Sequence, residues 1–260
     1  MRRVYLIAWS QFDEKAFQAF LEHHDATWRR SDHATSNEEL VEVAGRICYM
    51  SFGERQSRRN NVEYITHLIA MGHESVLEHA SWSFVLTGVS RAFTHQLVRH
   101  RVGVAFSQLS QQYHDESEAT FVRPTLIDGS PRARAAWDRA LAAARAAYRE
   151  IIQALDAGTA TPAHGDETRE LRRALRSAAR GVLPSATETT IVMTANARAL
   201  RHFLTVRGAI AGDEEMRLVA AEVLRLLQNE APALFADFRI ESLPDGSPIV
   251  RKDLSSSQNE

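Results

Sequence analysis

The sequence predicts an α+β fold in a single domain, residues 1–251, followed by a frayed polar tail, 252–260. Three observations lead there. Long segments carry apolar residues at helical spacing. A few well-separated β-type runs, among them ASWSFVLT and TTIVMT, supply a small sheet. No internal repeat or low-complexity domain linker divides the chain.

In chain order, residues 3–9 (RVYLIAW) read as an opening strand, because the apolar run is too short for a signal peptide and lacks a small-residue cleavage site. Residues 37–49 read as a helix with Leu40, Val43 and Ile47 along one face and Ser36 or Asn37 as its cap. Residues 51–60 are polar and loop-like. A helix over 62–71 turns Ile65, Leu68 and Ile69 inward and stops at Gly72. Residues 80–87 alternate as a half-buried strand, with Trp82, Phe84 and Leu86 on one side. A helix over 90–99 is followed by a loop through Gly103, and 119–123 form a short strand ending at Pro124. The Ala/Arg-rich stretch 131–155 is helical, with Pro131 near its first turn and Gly158 beyond its end. A linker, 159–166, leads to a helix over 167–181 that ends before Pro184. The β-branched run 189–194 is a strand. Helices over 196–209 and 213–228 and a short one from 231 complete the chain.

Composition narrows the function. The chain has 260 residues, 44% hydrophobic and 25% charged, which is the ordinary globular profile. No apolar run reaches membrane-spanning length, so no membrane association is expected. The formal net charge of −2 gives no basic field for nucleic acid, so a nucleic-acid-binding module is disfavoured. One cysteine, Cys48, excludes an intrachain disulfide and fits a reducing cytoplasm. It lies in an apolar helical pattern and reads as a packing residue. Of 31 basic residues only Lys15 and Lys252 are lysines. Arginine offers a planar fork suited to phosphate and to pyrimidine oxygens. A GC-rich genome accounts equally for that bulk composition, so placement decides which arginines matter.

The densest polar segment is THQLVRHRVGVAFSQLSQQY, residues 94–113. Gln96, Arg99 and His100 are spaced to share a helical face, with Arg101 just past it. Alone, that arginine–histidine cluster is also what a solvated helix C-terminus looks like. Ser107, Gln108, Ser110, Gln111 and Gln112 follow, a row of hydroxyls and amides suited to a phosphate and a heterocycle with carbonyl and N–H edges. A second cluster is NARALRHFLTVR. Leu200, Phe203 and Leu204 define its apolar stripe, and Arg207 continues that stripe. A cation aimed at a core requires a carboxylate or an anionic ligand. A structural Arg–Glu pair or a snorkelling stem satisfies the same pattern. Arg198 and His202 share another face, and Arg180 closes the preceding helix. His73 and His79 lie six apart and His95 and His100 five apart. Neither is the i, i+4 pair of a helical zinc site, so no metal, and no metal hydrolase, is expected. No GxGxxG, GxxxxGK[ST] or GxSxG occurs, and Ser110 reads as a binding hydroxyl rather than a nucleophile.

The segment RHRVGVAFSQLSQQY resembles the signature of the flavin-dependent thymidylate synthases, an RHR followed by Ser/Asn–Gln/Glu–x–Ser–x–Arg–Tyr. GRICY (45–49), GHESVLEH (72–79), HQLVRHR (95–101), ARGVLP (179–184) and TANARALRHFLTVR (194–207) also occur in the family's order and spacing. The resemblance covers roughly residues 37–228. It implies a homotetramer with FAD and nucleotide sites built between subunits. It also implies C5 methylation of dUMP to dTMP, with methylenetetrahydrofolate as carbon donor, reduced FAD as hydride donor and NADPH reloading the flavin. Methylation of UMP in nucleoside-antibiotic biosynthesis is the alternative. The implied flavin contacts are His73, Ser75, Arg99, His100, Arg101, Asn196, Arg198 and His202, with Gln108 between flavin and nucleotide. The implied nucleotide contacts are Gln96, Arg99, Ser110, Gln111, Gln112, Arg180 and Arg207, the last against the pyrimidine as the catalytic cation. Two departures fall on the nucleotide loop: Gln112 stands where the family has arginine, and the stretch 102–106 is one residue longer than usual.

Overall fold

The structure, a computed structural model, describes residues 2–57, 60–157 and 166–253. Within them lie strands β1 (Arg3–Trp9), β2 (Ser81–Ser90), β3 (Val104–Gln108), β4 (Glu188–Asn196), β5 (Phe238–Ser242) and β6 (Pro248–Lys252). The helices are α1 (Glu14–His23), α2 (Ser36–Ile47), α3 (Asn61–Ala70), α4 (Arg91–Leu97), α5 (Thr125–Asp128), α6 (Pro131–Ala157), α7 (Asp166–Ala179), α8 (Ala197–Arg207) and α9 (Glu214–Glu230). Four strands form one sheet in the order β1-β2-β4-β3, and β5 and β6 form an antiparallel hairpin with Ile240 opposite Val250. Long helices with a small sheet make this an α+β fold.

The chain forms two compact units, each assembled from three separate stretches of sequence. One comprises Met1–Arg3, Leu86–Arg99 and Ser107–Val192; the other comprises Val4–Val85, His100–Phe106 and Met193–Glu260.

In the second unit the apolar side of β2, Trp82 and Phe84, joins Leu200, Phe203 and Leu204 of α8 in the core. Val219, Val223, Leu224 and Leu227 of α9 are buried with them. Fully burying each such side chain contributes about 1.5–3 kcal/mol. Helix α2 differs from the expected amphipathic pattern. Leu40 is only half-buried and Ile47 is exposed, whereas Glu42 and Arg46 are fully buried with Val41 and Val43. Arg46 Nε donates to Glu42 Oε1 at 2.7 Å, and its guanidinium lies 4.3 Å from the centre of the Tyr64 ring. An inward ion pair rotates the buried face away from the one that apolar spacing selects. Thr35, not Ser36 or Asn37, precedes the helix, and its N–H donates to Glu38 Oε2 at 2.9 Å. Helix α3 is capped by Asn60; Ile65 and Leu68 are buried as expected, while Ile69 is half-buried.

In the first unit Leu86, Phe93, Leu97, Tyr148 and Ile191 are buried. The expected strand at 119–123 reduces to a single bridge between Phe121 and Thr187, because Pro124 ends the run. The sequence reading gave no helix at 14–23, no strand at 104–108 and no C-terminal hairpin. The hairpin had a turn signal, Pro244-Asp-Gly, and Asp245 Oδ1 accepts from both the N–H and the hydroxyl of Ser247. Cys48 is exposed at the end of α2, its thiol directed at Ala44 O, and so it does not pack in a core. The linker at 159–165, Gly158, Arg58 and Arg59 of the polar loop, and the tail from 254 lie outside the described residues.

Candidate active site

In the second unit the decisive contact joins the histidine of RHR to the far end of α8. Arg207 Nε donates to His100 Nε2 at 3.1 Å. His100 must therefore be neutral, with its proton on Nδ1. Burial, then Arg207 and then His202, hold its pKa below the ordinary histidine value. The His100 ring also packs edge-on against Phe203, centroids 5.6 Å apart. Arg207 thus turns inward as its stripe position requires, and the imidazole of His100 is a partner that the expectation of a carboxylate or an anionic ligand did not include.

Asn196 caps α8 by accepting from the Ala199 N–H at 2.9 Å, and its own N–H donates to Gly103 O at 3.0 Å. Gly103 has φ 69°, and a Cβ there would meet the Asn196 amide at 2.6 Å. The 102–106 stretch thus opens with a glycine turn pressed on the α8 cap and leads into β3. Arg198 donates to Glu74 at 3.1 Å and to Glu78 at 2.6 Å. Arg198 and His202 are exposed, as are His73 and Ser75. Two cavities of about 450 and 420 Å³ share Glu74 and Arg198. Asn196, Val102, His202 and Thr205 line the larger, and His73, Ser75 and Tyr49 the smaller. Arg101 is exposed and has no partner among the described residues.

The first unit holds the remaining candidates. Helix α4 ends at Leu97 with Val98 as its C-cap, and the Arg99 N–H turns back to Gln96 O at 3.2 Å. Arg99 and His100 therefore sit beyond the helix and do not continue the face of Gln96. Gln108 ends β3 and donates to Thr94 Oγ1 at 3.2 Å and Thr189 Oγ1 at 3.4 Å. Ser110 Oγ accepts from the Gln112 N–H at 3.3 Å, and Gln112 Nε2 donates to Ser177 Oγ at 3.4 Å. Gln111 is buried, and its Nε2 has no hydrogen-bond partner among the described residues.

Arg91 was missed. As the first residue of α4 it is a cation at the positive end of a helix. Its Nη2 donates to Leu109 O at 2.9 Å while its Nε is buried with no hydrogen-bond partner among the described residues. Burial lowers its pKa, Glu116 opposes that, and Arg180 lowers it further. Arg180 is thus near enough to repel Arg91, a setting that an anion relieves. Glu74 and Glu78, i and i+4 in GHESVLEH, were likewise missed as the partners of Arg198.

These donors bear on which ligands fit. The two adjoining cavities, which share Arg198 and Glu74, suit an elongated ligand with a ring at each end. Arg198, paired with Glu74 and Glu78, lies in the wall common to both cavities, and Asn196, His202, His73 and Ser75 add hydrogen-bonding groups around it. These hydrogen-bonding groups, with the apolar faces of Tyr49 and Val102, fit a flavin dinucleotide. The family model described as thymidylate synthase complementing protein matches residues 31–233. The chain belongs to that family. It is 43% identical to the flavin-dependent thymidylate synthase of Mycolicibacterium gilvum over 97% of this chain and 96% of that one. It is 44% identical to the enzyme of the same name from Mycobacterium avium, covering 91% of this chain and 92% of that one. The corresponding protein of Corynebacterium glutamicum is 42% identical, covering 95% and 94%. Membership of the thymidylate synthase complementing family accords with the five sequence motifs. No helix of the described residues is long and apolar enough to cross a membrane.

Proposed function

We propose that this protein is a flavin-dependent thymidylate synthase that converts dUMP to dTMP, with methylenetetrahydrofolate as carbon donor and NADPH as the source of electrons. The observation that carries the reading is the Arg207–His100 contact. It supports Arg207 as the catalytic cation, held by the histidine of RHR in the unit that also carries the two cavities. FAD, when bound, supplies the hydride. The relatives are named for thymidylate formation, which favours dUMP over UMP.

The chain's own residues bind, orient and polarise. His100 accepts from Arg207 Nε and so sets the plane of that guanidinium. Arg207 stabilises negative charge developing on the N3/O2 edge of the pyrimidine. Arg180, Arg91 and the Ser110–Gln111 backbone hold the phosphate, and Gln96 and Arg99 contact the nucleotide. Gln108 stands between nucleotide and flavin. His73, Ser75, Arg101, Asn196, Arg198 and His202 hold the flavin, with His100 and Arg99 at its edge. Gln112 contributes a neutral amide where relatives carry a cation. The working form is a homotetramer in the cytoplasm, with sites completed between copies.

Purified protein should be yellow, with flavin absorption near about 450 nm. Arg207→Ala should lower kcat by about 100-fold or more while flavin content stays normal, as loss of a charge-stabilising donor does. Retained turnover with normal flavin would remove Arg207 from its role. Colourless protein that fails to bind added FAD would overturn the whole reading. Parallel assays with dUMP and UMP test the substrate sugar; a preference for UMP overturns the dUMP assignment.

A further inference from the structure

Segment 113–119 follows directly on the Ser110–Gln111–Gln112 loop, and its peptide groups lack the regular pairing of helix or strand. Two Ala/Arg-rich helices supply partners instead. Arg176 of α7 donates to Tyr113 O at 2.7 Å. Arg149 Nε and Arg145 Nη2 of α6 donate to Ser117 O at 2.8 Å and Ala119 O at 2.7 Å. The Glu116 N–H donates to Tyr148 Oη at 3.3 Å. Arg145, Tyr148 and Arg149 are spaced i, i+3, i+4, so one helical face carries all three. The Arg173 guanidinium lies 4.9 Å from the centre of the Tyr113 ring, and Gln112 reaches Ser177. Arg–carbonyl bonds are charge-assisted and stronger than neutral ones.

We infer that Arg145, Arg149 and Arg176 are positioning residues: they clamp the backbone of 113–119 and so hold the preceding nucleotide loop in its binding shape. Arg176 is the one nearest that loop, since Tyr113 adjoins Gln112. In this chain Gln112 is part of the same latch, its amide tied to α7. The link to dUMP rests on the proposed function, but the clamp itself can be read without substrate.

The test compares Arg176→Ala, Arg149→Ala and Arg145→Ala with the exposed α6 control Arg139→Ala. Amide hydrogen exchange across 107–119 should accelerate about tenfold or more in the three clamp variants and stay unchanged in the control. In Arg176→Ala the KM for dUMP should rise about tenfold, with kcat at saturating dUMP within about twofold and flavin content normal. Arg176→Lys, which keeps the charge but loses the fork, should recover part of that KM and serves as the test should the alanine variant fail to fold. Unchanged exchange across 107–119 would sink the clamp. Faster exchange with unchanged KM would sink its role in substrate positioning. Wild-type protein unable to bind dUMP would strike the proposed function and leave the exchange result standing on its own.

Discussion

A neutral imidazole pressed against a guanidinium is sensitive to pH in one direction. His100 accepts from Arg207 only while its Nε2 is unprotonated. Burial, Arg207 and His202 all lower its pKa below the ordinary histidine value of about 6.5, so the folded protein resists its protonation. The unfolded chain binds that proton more readily, so its contribution to stability is undiminished above about 6.5. That stability falls as pH drops through the lower folded value. Protonation would set two cations face to face and free Arg207 from its plane. Turnover should show an acid limb with its midpoint below 6.5. His100→Gln, which keeps an acceptor that does not titrate, should flatten that limb. A limb of the same position in His100→Gln would assign it to another group. The inward turn of Arg207 is the part of the site most legible in the sequence, because an arginine on an apolar stripe must find a partner. The identity of that partner was not legible, since burial alone does not distinguish a carboxylate from a neutral acceptor.

Elements were read well where period and caps agree, and poorly where polar groups face inward. Helix α8 has a side-chain cap at Asn196 and an unbroken apolar stripe, and its bounds fall within two residues of those expected. Helix α2 has similar apolar content, yet its inner face is organised by charge. Glu42 accepts from Arg46, from Trp28 Nε1 at 3.2 Å and from Asn61 Nδ2 at 2.8 Å. No hydropathy pattern can indicate that, because a buried ion pair and a solvated one look alike in sequence. The consequence is testable. Arg46→Ala leaves the Glu42 carboxylate buried without its cation and should cost about 3–5 kcal/mol in denaturant unfolding. The double replacement Glu42→Leu with Arg46→Met removes both charges and should be markedly less damaging than the single change. A single change within about 0.5 kcal/mol of wild type would show that the pair contributes little. Strand β3 was missed for a related reason: VAFSQ sits inside a segment whose polar residues drew a functional reading and hid its alternation.

At the scale of the molecule, the sequence motifs fixed family and chemistry while the division of the chain into two units was not legible. The cut falls inside RHR, between Arg99 and His100, and no composition shift marks it. What the single chain leaves open is as informative as what it covers. His73, Ser75, Arg99, Arg101, Arg198 and His202 are all exposed. Hydride chemistry on a pyrimidine requires water to be kept from the reacting atoms. Along β1, Tyr5, Ile7 and Trp9 point large apolar groups outward at alternate positions, and Tyr49 and Val102, which line the two cavities, are exposed as well. Exposed aromatic groups of this kind are normally covered by another surface, and the occupant consistent with sites completed between subunits is a second copy of the chain. Light scattering on the flavin-loaded protein should give about four times the chain mass of 29.2 kDa. Each copy-to-copy surface should bury more than about 1,000 Å². Dilution into the range where the assembly dissociates should release flavin in step with the loss of mass, because the pocket loses its cover. A monomer that retains flavin and full turnover would mean that one chain excludes water from the site by itself.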